Sequence, residues 1–411
     1  MPWKETCAVD QRVKFVLEFC RGEYSMSHLC RIFGISRRVG YKWLKRYRLE
    51  GVDGLKDRCR APRWHRNEVA GRVECAVLAA RRSHPTWGPK KLRVWLDRHD
   101  PLVSWPAPST IGEILKRHGL TVPRKRRRRV PPQTEPFAAC DAPNTLWCTD
   151  FKGWFRTGDG TRCDPLTISD AFSRYVFRSQ GMTETGCDAV RPLFEAVFRQ
   201  YGLPWVMRTD NGPPFASRGV AGLSRLSVWW MKLGIVPERI DPGCPEQNGR
   251  HERMHLTLKL ETASPPARTF RGQQRRFDAF RREFNEERPH EALEMATPAS
   301  VYTPSQRRYP ERLADVAYPD GYEVRRVKPN GVFNWKNRRV FLGEALGREL
   351  VGLEPIDDRY WRVWFSQVEL DVFDSSRYRL LTAREARRSG MKRATVRASS
   401  FRCAPGTGPD G

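Results

Sequence analysis

Apolar residues recur every three or four positions over residues 11 to 21, where Val13, Val16, Leu17 and Cys20 share one face of a predicted helix. Ser25 is placed to cap a second short helix through Phe33, and Gly34 breaks it. Ser36 caps a third, in which Val39, Trp43 and Tyr47 repeat every four residues while Arg37, Arg38, Lys42, Lys45 and Arg46 take the other faces. A tight turn before a basic third helix is a helix-turn-helix pattern over residues 1 to 60. A second group, read as helix-turn-helix-like or as a structural bundle, follows over 61 to 120, with helices predicted near 67 to 82, 88 to 97 and 109 to 118, the last capped by Ser109. There Lys90, Lys91 and Arg93 lie beside apolar Leu92, Trp95 and Leu96.

The periodicity changes near residue 143. LWCTDFKGWF, DPLTISD and RYVFRSQ read as strands with turns between them, followed by a helix near 184 to 201 and the short buried strand WVMRTD. Further helices are predicted near 220 to 233, 244 to 263 and 267 to 288. Three antiparallel strands, a crossover helix and another strand predict an α/β layered domain over 140 to 300. Short alternating segments between 318 and 375, such as YEVRRV, RRVFLG and YWRVWF, predict a small β-barrel. The basic tail 383 to 411 has few packing residues and is expected to be disordered. The fold class expected is therefore multidomain: all-α units, then an α/β core, then a small β-barrel.

Charge sorts these regions by partner. The chain has 74 Lys plus Arg against 47 Asp plus Glu, a net charge of +27, which calls for a polyanion. Residues 1 to 135 hold 31 basic and 13 acidic side chains, whereas 136 to 300 hold 22 and 20. The front third reads as the DNA-binding part, with Arg37, Arg38, Lys42, Lys45, Arg46, Lys90 and Lys91 as candidate contacts, and the near-neutral middle as a catalytic core. Between them, within 121 to 139, six consecutive basic residues including Arg124, Lys125, Arg126 and Arg127 stand among prolines. This segment reads as a linker, either lying along phosphates or a minor groove, or serving as a solvated tether. There is no apolar run of about 18 residues and no secretory apolar core near Met1, so no membrane partner and a cytoplasmic place are expected. Eleven cysteines without a close Cys-x-x-Cys pair read as reduced thiols, and Cys7, Cys20, Cys30 and His28 match no usual zinc spacing.

Three acids carry the candidate chemistry. Asp150 follows an apolar strand, Asp210 ends the strand at 206 to 209, and Glu246 is expected to open a helix. Strand ends present side chains at a sheet edge, and a helix start can aim a third carboxylate into the same cleft. Such an oxygen cage suits two hard divalent cations that activate an attacking oxygen and stabilise a leaving one. Asp170, in Ser169-Asp170-x-x-Ser173-Arg174, reads instead as ordering a hairpin turn by Asx hydrogen bonding.

The spacing and flanks are specific. Thirty-five residues separate Asp210 from Glu246, within Trp147-x-x-Asp150, Thr209-Asp210-Asn211-Gly212 with Phe215, and Pro245-Glu246-Gln247-Asn248-Gly249-x-x-Glu252-Arg253 followed by Lys259. With the helical units in front, the chain resembles bacterial insertion-sequence transposases of the retroviral-integrase type over most of residues 10 to 300. The zinc-binding His-His-Cys-Cys module of retroviral integrases is absent, and helix-turn-helix units take its place. The resemblance implies a ribonuclease H-like core, two magnesium ions (with manganese able to substitute) held by Asp150, Asp210 and Glu246, cleavage at transposon ends and joining of the freed 3′-hydroxyl to target DNA. It implies double-stranded DNA as partner, a homo-oligomer on that DNA and, in a bacterium, association with the nucleoid. Arg250, Arg253 and Lys259 follow Glu246 as candidate DNA contacts, and Asn248 either touches DNA or satisfies its loop. Two rival readings remain open from the residues alone: a nuclease that cuts without joining, and a DNA-binding regulator with a retired core.

Overall fold

Two serine caps and one glycine organise the first helices. In the computed structural model, which describes residues 7–59, 69–121, 140–217, 219–240, 249–382 and 385, these are α1 (Ala8–Arg21), α2 (Met26–Ile32) and α3 (Arg37–Glu50). Ser25 Oγ accepts from the His28 amide and Ser36 Oγ from the Val39 amide, where the sequence places both caps. Phe15, Val16, Leu29, Trp43 and Leu44 close a small core. Gly40 is there for contact: a Cβ would lie 2.7 Å from Cys30 Sγ and 2.9 Å from the Phe15 ring. Met1–Ala70 forms one unit, and Gly71–Gly411 forms a second.

The second unit begins with α4 (Gly71–Ser83), α5 (Pro89–His99) and α6 (Pro108–Arg117), packed through Val77, Trp87, Leu92, Leu96, Ile111 and Ile114. Ser109 is not the cap of α6. Pro108 occupies its first position after Ala107, so the fixed φ of proline starts the helix without a side-chain acceptor.

The layered region contains β1 (Leu146–Phe151), β2 (Phe155–Arg156), β3 (Arg162–Asp170), β4 (Val176–Met182), α7 (Cys187–Tyr201), β5 (Val206–Thr209), α8 (Arg225–Lys232), β6 (Val236–Arg239), α9 (Gly249–Thr262), α10 (Phe270–Arg282) and the short α11 (Pro298–Val301). The sheet runs β2-β3-β1-β5-β6, with β4 also on β3. The pairs of β3 are antiparallel, whereas β1–β5 and β5–β6 are parallel. A period of two sorts its side chains. Trp147, Leu166, Ile168, Phe177 and Met207 meet Phe194, Phe198, Trp229 and Trp230 of α7 and α8 in the main core. On the other face Cys163 and Val176 meet Met254 and Leu258 of α9 and Phe277 and Phe280 of α10.

The predicted helix at 220 to 233 is split: Ala221 sits at φ 50°, which breaks the helix and leaves a 3-10 turn at Val220–Gly222 ahead of α8. The α4–α6 bundle is fastened to this region. His84 Nδ1 lies 3.2 Å from Glu283, Arg98 donates to the Met295 carbonyl at 2.7 Å, and Thr86 bonds Glu261.

The carboxy-terminal strands are β7 (Glu323–Arg326), β8 (Val332–Trp335), β9 (Arg338–Phe341), β10 (Leu350–Pro355), β11 (Tyr360–Phe365), β12 (Val368–Asp374) and β13 (Arg379–Leu380). They form an antiparallel sheet, β13-β12-β11-β10-β7, over a core that includes Phe333, Val351, Phe365 and Phe373. The expected barrel is only half formed. The β8–β9 hairpin pairs with itself alone, so among the described residues the hydrogen-bonded ladder ends at β7 and β13.

Candidate active site

Register brings the two aspartates together. Parallel β1 and β5 pair Leu146 with Val206 and Cys148 with Arg208, and the same register carried two residues further sets Asp150 beside Asp210. Alternation then puts both on the face that α9 covers, opposite Trp147 and Met207. The sequence produces this locally because each acid follows a short run of buried strand residues, Leu146, Trp147 and Cys148 before Asp150 in β1 and Val206 and Met207 in β5, which stops one residue before Asp210.

The pocket is hostile to negative charge. Burial pushes the Asp150 carboxyl up to about 7, the charge of Asp210 adds to this, and Glu252 contributes a smaller push. Burial also raises Asp210, against which the Gly212 amide donates to its Oδ1 at 3.2 Å. Two carboxylates sharing a partly dry cleft repel unless a cation lies between them, and an all-oxygen donor pair suits a hard divalent ion. Among the described residues no three His, Cys, Asp or Glu side chains, Glu252 included, converge closely enough to hold an ion.

Glu246, with Gln247 and Asn248, lies outside the described residues. The helix that follows is α9, and its first turn carries Glu252, the acid whose field reaches Asp150. Two buried histidines of α9, His251 and His255, also face this site although no motif above names them, and His255 Nδ1 lies 3.7 Å from Asp150 Oδ2. Both had signals in the sequence. Glu252 falls inside the Gly249-x-x-Glu252-Arg253 stretch, and two histidines four apart share a helix face.

Asp170 is buried and ordered as an Asx turn: Oδ2 accepts from the Ser173 amide at 2.7 Å and its hydroxyl at 2.6 Å, and Oδ1 from the Asn144 amide at 2.8 Å.

The candidate DNA contacts fall in different settings. Arg37, Arg38, Lys42 and Lys45 are exposed on α3, and Arg46 is half-buried with its guanidinium 5.0 Å from the Trp43 ring centroid. Lys90 of α5 is exposed and its Nζ lies 3.6 Å from Glu291. Lys91 is half-buried, and burial, with Arg288 next, pushes its ammonium down to about 8. Arg253 and Lys259 are exposed on α9, and Arg250 belongs to its first turn. Arg124, Lys125, Arg126 and Arg127 lie outside the described residues, as does all of 122–139. No helix among the described residues is long and apolar enough to cross a membrane.

Family models match the chain in the same order as its helical and layered regions. The Integrase core domain family matches residues 141–245 and, in a second form, 233–298. A Helix-turn-helix domain matches 11–63 and a Homeodomain-like domain 39–115. The chain is similar to the insertion element IS407 uncharacterized 31.7 kDa protein of Burkholderia multivorans, with 28% identity over 66% of this chain and 87% of that protein. It is also similar to the insertion element IS476 uncharacterized 39.2 kDa protein of Xanthomonas euvesicatoria, with 32% identity over 43% of this chain and 50% of that one. The Gag-Pol polyprotein of koala retrovirus is 31% identical over 29% of this chain but only 7% of its own length. Among solved structures, similarity extends to a simian T-cell lymphotropic virus intasome in complex with a PP2A regulatory subunit, at 18% identity and a TM-score of 0.35 over 71% of this chain and 97% of that one.

Proposed function

We propose, from the premise that this chain carries an integrase core domain behind helix-turn-helix domains and resembles insertion-sequence transposases, that it cleaves DNA at transposon ends and joins the freed 3′-hydroxyl to target DNA. The observation that carries this reading is the pairing of Asp150 and Asp210 at the ends of adjacent parallel strands, on one face of the sheet. Magnesium ions, or manganese in their place, would supply neutralisation of the phosphate and activation of the attacking oxygen. Asp150 and Asp210 would hold them, and phosphoryl transfer then asks the protein for positioning rather than for a nucleophile.

For the third ligand, the first turn of α9 supports Glu252 over Glu246. Glu252 does not meet the two aspartates closely enough to hold an ion and would have to turn towards them, but the helix that bears it lies beside Asp150, with His255 Nδ1 3.7 Å from Asp150 Oδ2. The exposed basic face of α3 supports recognition of the element's ends by the first helical unit, and one acidic cleft per chain supports a multimer when two ends must be joined at once.

The test uses oligonucleotides carrying the inverted repeats that flank the coding region, with magnesium. Native protein should nick the ends and join them to a second duplex. Asp150→Asn, Asp210→Asn and Glu252→Gln should each abolish both steps while leaving end binding intact, and Glu246→Gln should remain active. Full joining by Asp210→Asn would overturn the active site, whereas an inactive Glu246→Gln beside an active Glu252→Gln would return the third position to Glu246. Cleavage without any joined product would leave only a nuclease.

A further inference from the structure

An exposed tryptophan stands just past the first aspartate. Gly153, at φ 83°, turns the chain out of β1, and Trp154 follows with 57% of its surface exposed. A lone exposed apolar side chain is ordinary on a protein surface, but this one has charged company. The Arg162 guanidinium lies 5.2 Å from its ring centroid and that of Arg156 5.9 Å. Arg156 and Arg162 are cross-strand partners on β2 and β3, and Trp154, two residues before Arg156, shares their face.

The group is held in place. Arg162 donates from Nε and Nη2 to the buried Asp164 carboxylate at 2.7 and 3.1 Å, and Arg156 Nη1 donates to the Gly160 carbonyl at 2.7 Å. The turn between β2 and β3 is itself fastened, since the Gly158 amide donates to the Ala267 carbonyl at 2.9 Å. Lys152, Arg156 and Arg162 against Asp159 and Asp164 leave residues 151 to 164 only weakly basic, too little charge for a clamp on phosphates alone. Trp154 is also the one exposed large apolar side chain of that stretch, too small a patch for a protein interface. An open ring with guanidiniums at its margin suits an unpaired base, because every base has a π-face to stack. The Cα atoms of Asp150 and Trp154 are at most about 14 Å apart along an extended chain, the rise of roughly four nucleotides of a duplex strand.

We propose that Trp154 stacks an unpaired base of the DNA strand lying at the Asp150–Asp210 cleft, within a few nucleotides of the phosphate to be cut. The inference rests on the reading of that cleft as a DNA-processing site given above.

Binding by the full-length protein in chelator, where no strand is cut, tests it. One duplex carries the element's inverted repeat fully paired, and a second has a short run of mismatched pairs at the terminus of that repeat. Native protein should prefer the mismatched duplex by about tenfold. Trp154→Ala should lose that preference and bind the paired duplex as before, and Trp154→Phe, which keeps a π-face, should retain most of it. Trp154→Leu keeps the apolar bulk without the ring and should behave as Trp154→Ala, which preserves the test if the alanine variant fails to fold. A fluorescent adenine analogue in the mismatched run should be quenched by native protein and by Trp154→Phe but stay bright with Trp154→Leu. Equal native affinity for the two duplexes, or preference and quenching that survive in Trp154→Leu, overturns the inference. Weakening of Trp154→Leu equally on both duplexes makes the ring a duplex contact and overturns it as well. Native protein that quenches the analogue yet never cuts or joins supports the inference and overturns only the activity.

Discussion

Removing divalent cations and replacing Asp150 by Asn isolates the strain stored in the acidic pocket. Asp150 titrates near 7, chiefly through burial and then through the charge of Asp210, against about 3.9 for a solvated aspartate. That difference corresponds to roughly 4 kcal/mol. The folded protein holds this proton more tightly than the unfolded chain does. The stabilising contribution is therefore complete below about pH 4, declines as pH rises towards 7, and is gone above it. Asn has no such window. With the Asp150 side chain 20% exposed, solvent takes back part of the effect, and a gain of roughly 2 to 4 kcal/mol is expected for Asp150→Asn at pH 8 in chelator. Scanning calorimetry at pH 4 and pH 8 should show the variant no more stable than the native protein in acid but melting several degrees higher at pH 8. Added magnesium should raise the native melting temperature at pH 8 and leave the variant's unchanged. A variant that melts below the native protein at pH 8 in chelator, or a difference that does not change with pH, refutes the argument.

Three further outcomes follow from the packing and charge. Gly40→Val should destabilise the first helical unit by about 1 to 3 kcal/mol, because its side chain meets Cys30 and Phe15, and end-DNA binding should fail at a lower temperature. Breaking the buried Arg208–Glu238 pair, 2.6 Å between Nε and Oε2 across β5 and β6, by Glu238→Gln should cost about 3 to 5 kcal/mol in chemical denaturation. Lys91→Met should raise the melting temperature at pH 7, where the native fold holds a charge that burial disfavours, and the gain should fade as pH rises past about 8 and that ammonium deprotonates; a gain equal at pH 7 and pH 10 would contradict it.

Asp150 and Asp210 are legible in the sequence because a short apolar strand has only two faces, and alternation assigns both acids to the same one. The third acid is not legible in the same way. Glu246 and Glu252 stand six residues apart, and spacing counts residues without saying where the helix starts or which way its first turn points. Strand β6 hides because Pro237, Glu238 and Arg239 mask its apolar content, although Arg208 opposite it is paired through Glu238. The contacts of His251 and His255 need Thr167 and Ser169 to be recognised as partners more than 80 residues away, and no local pattern encodes that. The caps at Ser25 and Ser36 are legible for the opposite reason, since a cap acts within three residues. Barrel closure depends on pairings between distant strands, and the half-formed sheet at the carboxy end shows how little of that local alternation decides.

Helix α9 is also a ruler. Its first turn bears Glu252 and its last Glu261, which binds Arg288 at 2.7 Å and also Thr86, just ahead of α5. Nine residues at 1.5 Å each separate the two acids by about 14 Å. The α4–α6 bundle is thereby fastened at a set distance from the two aspartates. An insertion in α9 of one residue would rotate one end against the other by about 100°, so the placing of the bundle against Asp150 and Asp210 is written partly in the length of a single helix.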